Sequence, residues 1–500
     1  MFSLLQDDFS YAVSLGAISP ELTLIVFSLA VLVYDLVKRG QNSHVGGWIA
    51  LVGLGAAAFQ LISAFGEPSA EHFGMVVVDN FGNFFKLFTV ASVAVVIGFV
   101  MSDKSERKHN IGEYFFLLLA AAIGIFFMVG TNNLLLLMLG LELLSLSSYA
   151  LAGFHKGNKR SAEAAMKYVV FGGLSAGVMM YGISLLYGLT GSIDLVELAR
   201  GGEGVRSLAA AITESTAAVA VAVVMILAGF AFKVSVAPFH FWAPDVYEGA
   251  PTPVTTFLAV SSKAAGFGAL LRFLGVLFAD GSADEAVQAY GHQIGQLIAI
   301  LAAVTMTLGN LAALRQTSVK RMLAYSSVAH AGYVLMGVVA MNQPGFEAAM
   351  YYLAAYYFMN LGAFGFLLYF QGVTGKDTYE SLSGMGWKAP LVSCAMGVFV
   401  ISLTGIPPTV GFTGKYMLFA ACIDSGFLWL AVVAGLNSVV SLFYYVKVLK
   451  YLFLKEAAET TPAPQPLFVG FVALIAVLTV MFGLYVSPLI EWAHLSLDIL

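Results

Sequence analysis

Charged residues are scarce in this 500-residue chain. Asp, Glu, Lys and Arg make up 11% of it, against about a quarter in soluble globular domains. Hydrophobic residues make up 59%, and the mean hydropathy is +0.87. The 29 acidic and 24 basic residues give a net charge of −5, which is too balanced to indicate a nucleic-acid partner. These values exclude most soluble enzymes and indicate a multi-pass membrane protein.

Cysteine is nearly absent as well. Cys394 and Cys422 are far apart and form no metal-ligand spacing, which excludes an iron–sulfur site on this chain and argues against a disulfide framework. The sequence also lacks a P-loop, a dinucleotide-binding fingerprint, and a haem or quinone signature. Any free energy that this chain uses must therefore be supplied by a partner.

Hydrophobic segments, by contrast, recur along the whole chain. A transmembrane helix takes about 20 apolar residues, and this length predicts about 14 spans. Their approximate limits are 17–37, 47–65, 80–101, 111–129, 133–154, 163–190, 211–237, 252–278, 291–313, 322–341, 347–372, 390–421, 428–452 and 466–490. The start of the sequence has Asp7 and Asp8 but no basic residue, so we expect the first span to be retained rather than cleaved as a signal peptide. The predicted fold class is an all-α polytopic membrane protein.

Basic residues are divided unequally between the two sets of predicted loops. Arg200 and Arg206 lie in loops that follow even-numbered spans. The loops after odd-numbered spans contain Lys38, Arg39, Lys104, Arg107, Lys108, Lys156, Lys159, Arg160, Arg315, Lys320, Arg321, Lys376, Lys388, Lys450 and Lys455. Because Lys and Arg concentrate in cytoplasmic loops, this pattern predicts that the larger set is cytoplasmic and that both termini lie outside.

Two parts of the sequence resemble each other in the same order. Residues 163–191 align with 347–375 without a gap, sharing EAAM at the start and TG at the end, and residues 147–154 resemble 326–333. The matched spans are five apart in the chain. Because five is odd, the two copies must cross the membrane in opposite senses, which predicts an inverted repeat of the kind found in secondary transporters.

Each copy contains a proline-interrupted helix beside a lysine. Pro238 follows Lys233, and Pro407 and Pro408 precede Lys415. Non-helical backbone is tolerated at membrane depth only where protein or a water-filled cavity surrounds it, so the two breaks predict a polar interior. The alternative is that these prolines only kink the helices for packing.

Several ionisable residues fall near the predicted middle of the membrane. Lys233 and Lys263 stand 15 residues before and after Glu248, the centre of a predicted polar turn at 244–251. Both should lie about 20 Å from that turn, at matching depth. Glu142 is placed at similar depth. Because a charge at the bilayer centre costs at least about 2.5 kcal/mol, such groups predict pairing, hydration or a function.

A lysine is suited to proton transfer because its charge state responds to burial and to a nearby carboxylate. A Glu142/Lys233 pair whose separation changes would therefore act as a proton switch. A static ion pair that specifies helix packing would also explain Glu142. Lys263 and Lys415 have no acid partner evident in the sequence, which favours hydrated, functional positions.

Three further residues are weaker candidates. Lys167 lies near the cytoplasmic end of its span, where a lysine can also extend to the interface. His330 lies mid-span and could relay protons, or it could be a core histidine with satisfied hydrogen bonds. His240, beside the first break, could relay protons or serve as a structural hydrogen-bond donor. No metal site is predicted.

Three longer motifs resemble the antiporter-like subunits of respiratory complex I. They are FKVSVAPFHFWAPDVYEGAPTP at 232–253, LAYSSVAH at 323–330 and SLTGIPPTVGF at 402–412. The likeness extends over about residues 15–490. Residues 244–251, together with lysine at position 415, resemble the subunit N branch of that family.

The resemblance implies four segments. They are a three-helix segment at 1–110, a first antiporter-like five-helix repeat at 111–280, a second, inverted repeat at 289–455, and a C-terminal helix at 456–500. It also implies proton-transfer roles for Glu142, for Lys233 as its partner, for Lys263 as the central lysine, for Lys415 on the second broken helix, and for Lys167.

The same resemblance implies a function and partners. It indicates a proton-translocating subunit of a bacterial NADH:quinone oxidoreductase in the inner membrane, surrounded by lipid and by other membrane subunits, including further antiporter-like ones. No redox cofactor is expected on this chain, and flavin, iron–sulfur clusters and quinone are expected on partner subunits. The alternatives are a subunit of a multi-subunit cation/proton antiporter and a structural membrane subunit that transports nothing.

Overall fold

The computed structural model describes residues 14–38, 43–102, 111–279, 284–456 and 465–497. The predicted cytoplasmic residues Arg39, Lys104, Arg107 and Lys108 lie outside the described residues, as do Asp7 and Asp8.

The described part of the chain is mostly helical. Its helices are α1 (Ser19–Lys38), α2 (Ser43–Ser63), α3 (Asn80–Ser102), α4 (Ile111–Val129), α5 (Leu134–Ala152), α6 (Lys159–Thr190), α7 (Leu195–Arg200), α8 (Leu208–Lys233), α9 (Trp242–Gly249), α10 (Thr252–Phe257), α11 (Lys263–Phe278), α12 (Glu285–Leu314), α13 (Val319–Val339), α14 (Gln343–Thr374), α15 (Met385–Lys388), α16 (Pro390–Thr404), α17 (Val410–Asp424), α18 (Leu428–Leu454), α19 (Pro466–Leu484) and α20 (Ser487–Leu495). A π-helical turn, Leu258–Ser262, joins α10 to α11, and a 3₁₀ turn, Glu380–Leu382, precedes α15. The all-α polytopic class is confirmed.

A small hairpin between α2 and α3 was not predicted. Strand β1 (Ala70–His72) pairs with β2 (Val76–Val78) in antiparallel register. Phe73 and Gly74, in the turn between the strands, both have positive φ, a backbone conformation typical of tight hairpins.

If Thr252–Phe278, which contains α10, the π-helical turn and α11, is counted as one helix, the described residues contain twelve helices long and apolar enough to cross a bilayer. The number is up to 14 if two bent pairs each count as a span. Glu380–Lys388 and Pro390–Thr404 meet at 116°, and Phe468–Leu484 and Ser487–Leu495 meet at 81°. The expected number of about 14 agrees with the upper count, and the chain is a multi-pass membrane protein.

Both predicted helix breaks are present. Helix α8 ends at Lys233, and α9 begins at Trp242. The predicted span 390–421 is divided into α16 and α17, which are separated by residues 405–409.

One prediction around the first break was wrong. Residues 244–251, expected to form a polar turn, lie mostly in α9. Proline is tolerated in the first helical turn, where Pro244 stands, and Asp245 in the same turn complements the helix dipole. The chain between Lys233 and this segment is not a straight helix, so the distance of about 20 Å expected for a helix of that length does not apply.

The most buried helices are central to the bundle. The most apolar window of Thr252–Phe278 is 100% buried, and those of α13 and α14 are 94% buried, against 28% for α1. A helix buried on all sides needs no polar face. The functional candidates Lys263 and His330 therefore lie on helices that contact protein rather than lipid around most of their circumference.

A buried ion pair joins α11 to the start of α3. The Arg272 guanidinium donates to both carboxylate oxygens of Asp79, at 2.7 and 2.8 Å, and its Nε donates to the Val129 carbonyl at 3.0 Å. The two side chains are 1% and 3% exposed. The Phe81 ring lies 4.9 Å from the guanidinium carbon. The burial, the paired hydrogen bonds and the ring contact all indicate that Arg272 and Asp79 form a structural ion pair.

Replacing Arg272 with Met is expected to lower the unfolding free energy by about 3–5 kcal/mol, because Asp79 would be left buried without a counter-charge. Thermal unfolding of the purified assembly measures the loss. The exposed pair Arg206–Glu214 provides the control, since Arg206→Met should change the free energy by less than about 1 kcal/mol. Equal losses for the two substitutions would contradict a structural role for Arg272.

Candidate functional site

Lys233 occupies the last position of α8. The helix ends there because Ser235 has φ +62 and Pro238 has no N–H to donate. The lysine is 2% exposed, and its Nζ donates to Ser145 Oγ of α5 at 3.1 Å. The break therefore places an ammonium group in the interior against a hydroxyl rather than against lipid.

Backbone groups freed by this break are hydrogen-bonded. The Phe232 carbonyl accepts from Trp242 Nε1 at 3.0 Å, and the Ala237 N–H donates to Thr305 Oγ1 of α12, also at 3.0 Å. The first bond links the two sides of the break. The second attaches the break to a helix of the other predicted repeat.

Glu142 lies on α5, one turn before Ser145. It is half-buried, and its Oε1 has no hydrogen-bond partner among the residues that the structure describes. Within the same part of the chain, Glu142 and Lys233 form no direct ion pair, and the Lys233 Nζ donates to Ser145 Oγ instead. The expected direct pair of Glu142 with Lys233 is therefore not formed between these described residues.

Lys263 is the first residue of α11, directly after the π-helical turn. A π turn inserts an extra residue into a helix, and such turns are frequent at functional sites. The lysine is 2% exposed. Its Nζ donates to the carbonyl and to the hydroxyl of Ser327, at 2.6 and 2.5 Å. Lys263 of the first predicted repeat is thereby attached to α13 of the second.

His330 lies one turn beyond Ser327 on α13. Its Nδ1 is 2.6 Å from the Tyr352 hydroxyl, and its Nε2 is 3.1 Å from the Tyr445 hydroxyl. The Tyr445 hydroxyl is also 2.5 Å from Ser326 Oγ. The imidazole is buried, and each of its nitrogens lies beside a tyrosine hydroxyl. This geometry fits a proton relay, and it also fits a core histidine whose hydrogen bonds are satisfied.

Lys415 lies on α17 beside the second break. Its Nζ donates to the Thr404 carbonyl at 2.9 Å and to Ser438 Oγ at 3.0 Å, and it lies 4.3 Å from the centre of the Tyr333 ring. The Thr404 carbonyl is at the last position of α16, where helical acceptors are left free. The lysine therefore binds an acceptor at the break itself.

Gly405 makes that approach possible. Its φ is +88, and a Cβ there would lie 2.7 Å from Cδ of Lys415. A larger residue would be strained in this conformation and would displace the lysine side chain. Pro407 and Pro408 follow in the same break.

Lys167 and His240 lie apart from these contacts. Lys167 is 37% exposed and forms ion pairs with Asp245 at 2.6 Å and Glu163 at 2.8 Å. His240 is 7% exposed, and its Nδ1 has no partner in the described part of the chain. Lys263 contacts Ser327, one turn from His330. Lys415 lies over the Tyr333 ring, whose centre is 5.6 Å from that of the His330 ring. Lys167 lies instead in a half-exposed charge cluster.

Sequence reasoning missed most of the partners of the lysines. Ser145, Ser327 and Ser438 are neutral and common residue types, so nothing in the sequence distinguishes them. The pairing of Glu21 with Lys86, at 2.6 Å, was missed as well. Across the described ranges, no group of three or more His, Cys, Asp or Glu side chains is placed to hold a metal ion.

Comparison with known proteins places this geometry in a family. A family model described as NADH:quinone oxidoreductase/Mrp antiporter, transmembrane, matches residues 131–441. The chain is 40% identical over 501 residues to NADH-quinone oxidoreductase subunit N of Chlorobium chlorochromatii (strain CaD3), with 97% of this chain and 95% of that protein covered. The chain belongs to the NADH:quinone oxidoreductase/Mrp antiporter membrane-subunit family.

Solved structures of this family have the same fold. A chain of respiratory complex I from Thermus thermophilus is 35% identical, with a TM-score of 0.78 and coverage of 94% of this chain and 98% of that chain. A chain of the Mrp complex from Dietzia sp. DQ12-45-1b is 21% identical, with a TM-score of 0.82 and coverage of 96% and 97%. At that identity the likeness to the Mrp chain shows the fold alone. Glu142, Lys233, Lys263 and Lys415 all fall inside the matched range 131–441.

Proposed function

We propose that this chain is a proton-translocating membrane subunit of a NADH:quinone oxidoreductase. The observation that carries the proposal is the placement of three buried lysines, Lys233, Lys263 and Lys415, each donating to a hydroxyl or carbonyl acceptor in the protein interior. Burying a charge is expensive, and three such groups in one membrane chain require a reason. Proton transfer supplies one, because each lysine can exist with and without its proton.

The proposed route begins at the cytoplasmic side and ends outside. Lys167 and its partner Asp245 receive protons from the cytoplasm, and a change in the separation of Glu142 and Lys233 drives transfer toward Lys263. The proton then passes along His330 to Lys415. His240 is proposed as an accessory relay at the first break.

The proposed direction of proton transfer depends on how the chain is oriented in the membrane and on how it is divided into repeats. Both termini are placed on the outer side of a bacterial inner membrane, as the distribution of Lys and Arg in the loops indicates. We assign the repeats to 111–280 and 289–455, flanked by the segments 1–110 and 456–500. Support comes from the equivalent positions of the two helix breaks, which follow α8 and α16.

Electron transfer is assigned to partners. Flavin, iron–sulfur clusters and quinone are proposed to reside on other subunits, and redox energy reaches this chain through contacts with other membrane subunits, including further antiporter-like ones. This chain would hold no redox cofactor of its own.

Purification of the tagged chain from its native membrane tests the proposal. The chain should copurify with flavin and iron–sulfur absorption, and vesicles containing the complex should acidify when NADH and quinone are supplied. A complex without flavin that exchanges a metal cation for protons would instead establish the cation/proton antiporter alternative. Assembly with flavin but with normal pumping after the lysines are neutralised would establish the structural alternative.

His330→Gln is expected to slow proton pumping about tenfold. Glutamine can donate and accept hydrogen bonds, as a neutral imidazole does, but it does not titrate near neutral pH. The acidification rate of vesicles, at equal amounts of assembled complex, measures the effect. A wild-type rate would mean that His330 only satisfies Tyr352 and Tyr445.

A further inference from the structure

A cavity of about 250 Å³ lies where the start of α1, the end of α2 and the start of α3 meet. Its walls include Ser19, Gln60, Ser63, Asn83 and Lys86. These residues stand within a turn or two of the ends of their helices, where a span leaves the hydrocarbon core and reaches the headgroup region. The cavity belongs to the three-helix segment, outside the range 131–441 that the family model matches.

The polar groups on the otherwise largely apolar walls of this cavity include side-chain amides that can donate hydrogen bonds. Asn83 is 2% exposed, and its Nδ2 has no partner in the described residues. The Gln60 Oε1 accepts from Thr23 Oγ1 at 3.1 Å, which leaves the NH₂ end of that amide for the cavity. Leaving a buried donor without a partner is unfavourable, so the arrangement favours an acceptor ligand.

Lys86 adds a charged donor. Its side chain is 2% exposed, and its Nζ lies 2.6 Å from Glu21 Oε1. An ammonium group has three N–H donors, so one directed at Glu21 leaves others for a second anionic oxygen. The Glu21 carboxylate balances the lysine charge, and the cavity would therefore hold an anion through directed N–H groups.

Exposed apolar side chains lie beside the cavity. Phe59 and Ile62, which flank Gln60 and Ser63 on α2, are 74% and 62% exposed. Phospholipid acyl chains would cover such apolar side chains while the phosphate entered the cavity. We propose that α1, α2 and α3 form a binding site for the phosphate group of a membrane phospholipid, with Asn83, Lys86 and Gln60 as its donors.

Photolabelling of the complete complex tests the site. The complex is reconstituted in vesicles that contain phosphatidylglycerol with a photoactivatable acyl chain, and labelled peptides are identified by mass spectrometry. Wild type should be labelled on the α2 peptide that contains Phe59 and Ile62. Asn83→Leu should reduce that labelling about tenfold, because a charge-assisted hydrogen bond contributes about one factor of ten or more.

Three controls decide the outcome. Ser28→Ala, a buried change on α1 outside the cavity walls, should be labelled as wild type is, and diacylglycerol with the same photoactivatable chain should label wild type and Asn83→Leu equally weakly. Excess inorganic phosphate should leave the phosphatidylglycerol label in place.

If Asn83→Leu does not assemble, Gln60→Leu on half-exposed α2 replaces it. Equal labelling of wild type and variant by phosphatidylglycerol would overturn the site, and loss of label to inorganic phosphate would assign it to a free anion.

Discussion

A complex that carries Lys263→Ala is expected to pump protons at least about tenfold more slowly than wild type. Lys263 is fully buried, and both of its observed acceptors belong to Ser327. Alanine removes the titratable group and leaves those acceptors in place, so water could fill the space but could not hold a proton at this position. The measurement is acidification of vesicles during NADH oxidation, with NADH oxidation by a soluble artificial acceptor as the check on assembly.

Lys447→Ala is the matched control for that substitution. Lys447 also lies on a predicted span, its Nζ donates to the Gln316 carbonyl at 3.1 Å, and it lies 4.2 Å from the centre of the Tyr379 ring. It has no place in the proposed route, so pumping should stay close to wild type. Equal losses for Lys447→Ala and Lys263→Ala would mean that both act through folding alone.

The second large effect on proton pumping is expected at the first helix break, where α8 ends at Lys233. Lys233→Met and Glu142→Gln should each slow pumping by about tenfold or more, because each removes one charge from a site of low dielectric constant. Combining them should slow pumping by less than the product of the two single effects. The difference should correspond to a coupling free energy of about 1 kcal/mol or more, which is typical of groups that interact.

The exposed pair Arg206–Glu214 is the control for the coupling between Glu142 and Lys233. Both side chains are largely exposed, and exposed pairs contribute little, so Arg206→Met and Glu214→Gln should combine with a coupling of less than about 0.5 kcal/mol. Purely multiplicative effects at Glu142 and Lys233 would contradict a proton switch. They would favour independent roles for the two residues.

Much of the fold could be predicted because bilayer thickness and proline chemistry act locally. Apolar segments of about 20 residues predict spans, and Pro238, Pro407 and Pro408 indicate where helices stop. The short helix α9 was misread as a turn, because Pro244 and Gly249 suit both a turn and the two ends of a helix. The π-helical turn before Lys263 has no residue type that predicts it.

The partners of the charged residues could not be predicted, because they are distant in sequence. Arg272 and Asp79 are 193 residues apart, and Lys263 and Ser327 are 64 apart. Only packing of the helices brings such groups together. The sequence indicated which lysines need an explanation, while the structure identified what each one contacts.

The number of protons released per NADH oxidised tests most directly whether this chain moves protons. Lys415 lies at the outward end of the proposed route and can be replaced by alanine in the assembled complex. If this chain translocates protons, Lys415→Ala should lower that ratio while quinone reduction continues, and Ser28→Ala should leave it at the wild-type value. A wild-type ratio in Lys415→Ala, at a comparable rate of quinone reduction, would contradict proton translocation through this chain.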